Sequence, residues 1–449
     1  MSRAYSVSCA RRGGVTINQR ARGRILEVTV VFLAFALVNA ASQAFQEPLS
    51  YHELVETGVF DAAYYHEMAE QLSLGELPET YAPFVYRIGT PLLVGLLFDD
   101  HLLLGFKVVN LAANALTVIL LVHWLRLYLG DWRIRVLLVL LFLTQWHAPV
   151  RFLYYYPPFV DPWMFVFLLL GLILTHEVRE RPSWPKLLCL GVVSFVGVVF
   201  REVVLVIPLA LLFATNPIVT WAGLLPRLTS LRRLREAIRP PPLAFAVPLC
   251  LGFLGLRATH LIASPLPGYS FVLTAIQWVY QKPAPTYLHA WFIAYGPIIA
   301  LALYDWRRLS SFLRDNQFML TYLLSFAILG WVGGSDTERI LYWAMPVVYV
   351  LIGKAVEDTF DLFRAWPLAT ILILSQLVSQ RFFWTLPQYP SDHPTPLPIL
   401  TVPSSRFQFL DLFSVHAERT IEAVSLVQYM VLCALVLWYM GYMAKSEHA

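Results

Sequence analysis

Charge is scarce in this sequence. Of its 449 residues only 14% are Asp, Glu, Lys or Arg, while 58% are hydrophobic; a soluble domain carries about a quarter charged residues. A chain so composed would expose too much hydrocarbon to stay dispersed in water, and lipid is its natural solvent. Cysteine is scarce as well. Cys9, Cys189, Cys250 and Cys433 stand far apart with no CxxC spacing, which argues against a disulfide framework or a thiolate metal site and leaves them as small core residues. No Walker loop, dinucleotide fingerprint or HExxH motif occurs, nor any nucleic-acid module. The net charge of +4 is small, so nucleic acid is not an expected partner.

Long apolar runs fill the remainder. The first, residues 25–45, follows a tail with six arginines and no acid. It exceeds the roughly 7–15 residues of a signal h-region and is long enough to cross a hydrocarbon core of about 30 Å. We read it as an uncleaved first helix. Further runs lie at 103–125, 134–148, 159–176, 187–200, 203–222, 243–262, 288–304, 317–333, 340–353, 366–384 and 422–443. The expectation is an all-α, polytopic transmembrane bundle of about 12 spans. Residues 88–98 are apolar but too short to cross, and read as a re-entrant or interfacial piece. The segment 268–281 reads as a short helix in the interface. Residues 1–24 and 444–449 are tails, and 25–443 form one transmembrane domain.

The basic residues orient this map. With the N-terminus inside, the inner loops are 126–135, 177–186, 215–242, 305–315 and 354–365. With both tails they hold 23 of the 33 Lys and Arg residues. The first outer loop, 46–86, has eight acids and no Lys or Arg, and the last, 385–421, is rich in Pro and aromatics. The chain is thus expected as a multi-pass plasma-membrane protein with both termini cytoplasmic.

Ionisable groups beside membrane helices are costly, so each is a functional candidate. All of those here fall at the outer face. Phe60-Asp61-Ala62-Ala63-Tyr64-Tyr65-His66 lies in the first outer loop. As a helix it would put Asp61, Tyr64 and Tyr65 on one face, although Asp61 is also just one of eight acids in that loop. Arg87, in Tyr86-Arg87-Ile88-Gly89-Thr90-Pro91, can bind phosphate through its planar fork or simply snorkel. Asp161, in Tyr154-Tyr155-Tyr156-Pro157-Pro158-Phe159-Val160-Asp161-Pro162, reads as an N-cap followed by proline, with an aromatic surface before it on which a sugar could stack. Arg201-Glu202 interrupts an apolar stretch, and Asp336-Thr337-Glu338-Arg339 forms a tight loop; in both, adjacent opposite charges can neutralise one another. Acids and arginines at one face suit a reaction on a phosphate-bearing lipid. A carboxylate would deprotonate the attacking hydroxyl, and arginines, or a divalent metal held by acids, would stabilise the leaving phosphate.

On these motifs the chain resembles the GT-C superfamily of polytopic membrane glycosyltransferases, which use polyprenyl-phosphate sugars as donors. The resemblance spans the layout of nearly the whole chain and the residues of only these short pieces. It implies an inverting transferase acting at the extracytoplasmic face, with a polyprenyl-phosphate sugar donor and a glycan, lipid or other hydroxyl acceptor. Asp61 would be the general base. Arg201 and Arg339, then Arg87, would hold the donor phosphate. Asp161, Glu202, Asp336 and Glu338 would orient these groups or bind substrate, beside Tyr64, Tyr65, His66 and Tyr155. Many lipid-linked mannosyltransferases of the class carry two adjacent acids in this loop. Here Ala62 follows Asp61, so a metal requirement stays open. Two other readings stay open beside the transferase: a transporter or flippase of an amphiphilic solute, and a non-catalytic scaffold of the same fold.

Overall fold

Apolar runs in lipid can satisfy their backbone groups only as helices or closed barrels. The computed structural model, which describes residues 17–45, 50–56, 61–215, 242–267, 269–304, 306–334, 336–358, 366–380, 382 and 419–446, takes the first course. Of the described residues 84% are helical. In chain order the helices are α1 (Ile17–Phe45), α2 (Asp61–Ser73), α3 (Gly89–Leu97), α4 (Leu102–Tyr128), α5 (Trp132–Thr144), α6 (Pro149–Tyr155), α7 (Asp161–Glu180), α8 (Trp184–Phe200), α9 (Val206–Thr215) and α10 (Val247–Ile262). There follow α11 (Phe271–Gln281), α12 (Ala284–Tyr295), α13 (Ile299–Tyr304), α14 (Trp306–Asp315), α15 (Gln317–Val332), α16 (Thr337–Tyr342), α17 (Met345–Asp358), α18 (Trp366–Ser379) and α19 (Arg419–Ser446).

Among the described residues five stretches are long and apolar enough to cross a membrane: Gly23–Ala44, Leu102–Tyr128, Trp132–Tyr155, Asp161–Glu180 and Leu243–Ile262. Five more apolar helical stretches are shorter. Two of the twelve expected spans are each broken in two. Residues 288–304 divide between α12 and α13 because Gly296 takes a left-handed φ of 72° and Pro297 follows. Residues 340–353 divide between α16 and α17 at a turn through Trp343 and Ala344. All but the last three residues of the loop 385–421 lie outside the described residues, as do most of the basic tail and the arginine-rich part of 215–242.

A small departure from the all-helical expectation joins distant segments. Glu79–Tyr81 pairs in parallel with Ser264–Leu266, in the register Glu79 to Ser264 and Tyr81 to Leu266. This ribbon ties the first outer loop to the end of α10. Helix α11, expected in the interface, buries none of its residues.

The packing brings one end of several helices together. Helix α4 packs on α7, α7 on α8, and α8 on α10, while α2 lies across α3. Close approach at Gly89 locks α3 to the end of α8: a Cβ there would sit 2.6 Å from the Phe200 ring. At the opposite end of the bundle, Glu27 of α1 is fully buried and receives Arg135 through two hydrogen bonds of 2.7 and 3.0 Å and Arg126 at 2.9 Å. That pairing clamps α1 to α4 and α5, as a buried carboxylate needs its partners near.

Candidate functional site

Helix α2 buries Ala62, Tyr65, Met68 and Ala69, at the three- and four-residue spacing of one helical face. Asp61, four residues before Tyr65, shares that face. The first turn of a helix leaves amides without intrahelical partners, and Tyr156 meets one of them: its hydroxyl accepts from the Ala62 N–H at 2.5 Å and donates to the Asp61 carboxylate. The loop that carries Tyr156 is itself pinned from α4. Asn110, fully buried, donates to the carbonyls of Pro157 at 3.1 Å and Phe159 at 2.7 Å. One turn along, Asn114 donates to Pro149 at 3.2 Å.

Arg87 leaves a short turn before α3 and is buried. Its Nε and Nη2 grip both oxygens of Glu202 at 3.1 and 2.8 Å, and Nη1 donates to the Tyr65 hydroxyl at 2.9 Å. Burial disfavours the guanidinium charge, but the Glu202 carboxylate outweighs it and raises the Arg87 pKa well above its ordinary value. Burial likewise raises the Tyr65 hydroxyl, which stays a neutral phenol.

Arg201 and Glu202 do not neutralise one another. The chain is extended at Arg201 (φ −163°, ψ 130°) where α8 stops, so the two side chains diverge. Glu202 turns to Arg87, while Arg201 pairs with Asp161 and lies over the Trp343 ring at 4.4 Å. The N-cap reading of Asp161 is corrected by the same contacts. Asp161 is the first residue of α7, the cap position falls to Val160, and no side chain caps the helix. The Asp161 carboxylate, 1% exposed, instead collects Arg201, the Trp343 indole N–H at 3.2 Å and Arg339 at 3.9 Å. Arg339 also pairs with Asp336 three residues earlier at 2.8 Å, so local neutralisation holds there in part. Burial works against the Arg339 charge, but Asp336 and then Asp61 hold its pKa above the ordinary value. Asp61 and Arg339 are thus electrostatic neighbours.

Residues from five stretches of chain therefore converge: Asp61 and Tyr65, Arg87, Tyr156 and Asp161, Arg201 and Glu202, and Asp336 with Arg339. The other expected residues lie apart. Tyr64 stacks on Phe84 with ring centroids 5.0 Å apart. Tyr155 is buried in the apolar core against Phe152, and its neighbour Tyr156 takes the place beside Asp61. His66 points away from the network to Tyr51. Glu338 is buried, within electrostatic reach of Lys282.

Sequence reasoning missed Tyr156 as the Asp61 partner, Trp343, and the pair Asn110 and Asn114. The asparagines carried a signal, two amides four residues apart in a mostly apolar helix. It missed Lys282 too, which is 1% exposed and donates to the Gly330 carbonyl at 3.0 Å; burial lowers its pKa to about 8. Among the described residues no three His, Cys, Asp or Glu side chains form a group able to hold a metal ion.

The class that fold and site define is an all-helical protein with membrane-length apolar helices and a buried carboxylate–guanidinium network at one end. Comparison with family models, curated proteins and solved structures found no match to this chain.

Proposed function

We propose that the chain is a multi-pass membrane glycosyltransferase that moves a sugar from a polyprenyl-phosphate donor to a hydroxyl acceptor at the extracytoplasmic face. One observation carries the reading: Asp61, oriented by Tyr156, lies within electrostatic reach of Arg339, whose Nε and the Nε of Arg201 are buried without a hydrogen-bond partner among the described residues. Asp61 takes the acceptor hydroxyl proton as the oxygen attacks the anomeric carbon. The bond from that carbon to the phosphate oxygen breaks, and the polyprenyl phosphate leaves with the electron pair. Arg201 and Arg339 stabilise its charge. Asp161 holds both guanidiniums in place, which lowers the cost of ordering them as the reaction proceeds. Arg87 has its donors taken by Glu202 and Tyr65, so we assign it to positioning rather than to the phosphate.

A buried ion network also suits a transporter of an amphiphilic anion, and the same experiment separates the two. Membranes carrying the protein are supplied with a radiolabelled polyprenyl-phosphate hexose. The expected outcome is release of label from the lipid, reduced in Asp61→Asn by about 10²-fold or more, the usual span of general-base loss. Undiminished turnover by Asp61→Asn would sink the assignment, and movement of intact donor across the bilayer without cleavage would favour transport.

A further inference from the structure

The membrane-length stretch Trp132–Tyr155 is interrupted near its C-terminal end. Helix α5 stops at Thr144, α6 starts at Pro149, and Gln145 to Ala148 between them are not helical. Irregular backbone at membrane depth is tolerated where it is buried in protein or lines a cavity. Here neighbouring elements supply its partners. Gln145 donates to the Ala294 carbonyl of α12 and accepts from Gln376 of α18 at 3.2 Å. The Trp146 N–H donates to the Gln380 side chain at 3.1 Å, and Arg151 donates to the carbonyls of Thr144 and Gln380 at 2.9 and 2.7 Å. The break is therefore held from α6, α12 and the end of α18.

His147 stands in this break. It is 7% exposed, and its Nε2 is buried with no hydrogen-bond partner among the described residues. A buried polar atom left unpaired costs free energy unless something completes it. The charged groups within electrostatic reach of the imidazole are Asp336, Arg339 and Arg151, which puts His147 beside the Asp336 and Arg339 part of the network. Unpaired nitrogens occur there too. Arg339 gives Nη2 to Asp336 at 2.8 Å, but its Nε is 3.9 Å from Asp161, too far for a hydrogen bond. Arg201, the other guanidinium on Asp161, also leaves its Nε unpaired, and it lies within electrostatic reach of Arg339. The three nitrogens are thus linked in sequence, Arg201 to Arg339 to His147. A guanidinium nitrogen can only donate, so a ligand that completes these two must offer acceptors, while a histidine nitrogen can do either. Ionised phosphoryl oxygens are acceptors alone. A sugar hydroxyl would bring an O–H that itself needs an acceptor.

We propose that His147 contacts the substrate, its Nε2–H donating to a phosphoryl oxygen of the lipid donor beside the Nε–H groups of Arg339 and Arg201. The inference rests on the transferase reading above and adds to it a donor of a different kind. An imidazole can donate without carrying a charge, so the site gains a hydrogen bond to phosphate without a further cation to bury. The bond strengthens as negative charge develops on the departing phosphate. Because the break that carries His147 is held by its own hydrogen bonds, the ring needs little ordering when the lipid arrives.

The test measures binding of decaprenyl phosphate, decaprenol and inorganic phosphate to the detergent-solubilised full chain by native mass spectrometry. The parent should prefer decaprenyl phosphate to decaprenol by about tenfold or more. His147→Leu should weaken decaprenyl phosphate about tenfold, a difference of about 1.4 kcal/mol, and leave decaprenol unchanged. His147→Gln, whose amide N–H falls near the place of Nε2, should stay within about threefold of the parent. His147→Leu should also melt no lower than the parent, since it removes an unpaired polar atom from a buried position. Equal losses for the two lipids with a lowered melting temperature would make His147 a packing residue and overturn the proposal. A parent that prefers decaprenyl phosphate while His147→Leu binds it as tightly would overturn the role of His147 alone. A parent without that preference would take down the transferase reading with it. Displacement of decaprenyl phosphate by equimolar inorganic phosphate would make this a site for free phosphate and overturn the assignment to a lipid.

Discussion

Asp161 shows how a residue's burial changes its meaning. On the surface it would be a helix start; at 1% exposure it is a charge that must be paired. Removing one partner of a buried ion pair strands the other, at a cost of about 3–5 kcal/mol. Asp161→Asn should therefore lower thermal stability by that order, read as a shift in the detergent-solubilised melting curve. Adding Arg201→Gln should restore part of the loss, because no uncompensated guanidinium then remains on that side. A double variant as unstable as the sum of the two singles would mean that Asp161 and Arg201 do not act as a pair. Three consecutive tyrosines make the same point about context. Tyr154 donates to Asn39, Tyr155 fills the apolar core, and Tyr156 meets Asp61. Nothing in their shared chemistry distinguishes them; the end of α6 at Tyr155 does, by turning the chain there.

Among the elements, the short helix α3 does more than its length suggests. It was legible as an apolar piece too short to cross, but its role was not. Seated against Phe200 at the end of α8, it fixes the Arg87 turn beside the Arg201-Glu202 break. The contact that seats it leaves no room for a side chain, since a Cβ on Gly89 would meet the Phe200 ring at 2.6 Å. Gly89→Leu should cost about 1–3 kcal/mol through overpacking and displace Arg87 from Glu202. The expected readout is a lowered melting temperature with transfer activity falling further than in an equally destabilised variant elsewhere in the bundle. If the two variants lose activity alike, α3 has no special part in placing Arg87. Broken helices α12/α13 and α16/α17 were not legible as breaks. Within each expected run, 288–304 and 340–353, the residues on both sides of the break are mostly apolar, so the hydropathy of the run is continuous; in the first, only the φ of Gly296 and the proline after it interrupt the ladder of hydrogen bonds.

For the whole molecule, the distribution of basic residues makes a claim about sidedness that the helix packing leaves free. Glu76 lies exposed in the acidic loop after α2, and Ser311 lies exposed on α14 among Arg307, Arg308 and Arg314. In a chain cleared of its own cysteines, Glu76→Cys should react with a membrane-impermeant maleimide in intact cells, and Ser311→Cys only after permeabilisation. The reverse pattern would invert the orientation and put the Asp61 network on the cytoplasmic side.

The sequence by itself determined that this chain is apolar, helical and poor in charge, because composition and the length of apolar runs depend on no neighbour. It also marked Asp61, Arg87, Asp161, Arg201, Glu202 and Arg339 as unusual, since a charge beside a long apolar run is unusual wherever the chain goes. Only the tertiary structure decided which of them meet. Arg87 finds Glu202 across 115 positions, and Asp161 finds Trp343 across 182. Such pairings depend on which helix ends lie side by side, a matter of packing between elements that no local pattern of residues encodes.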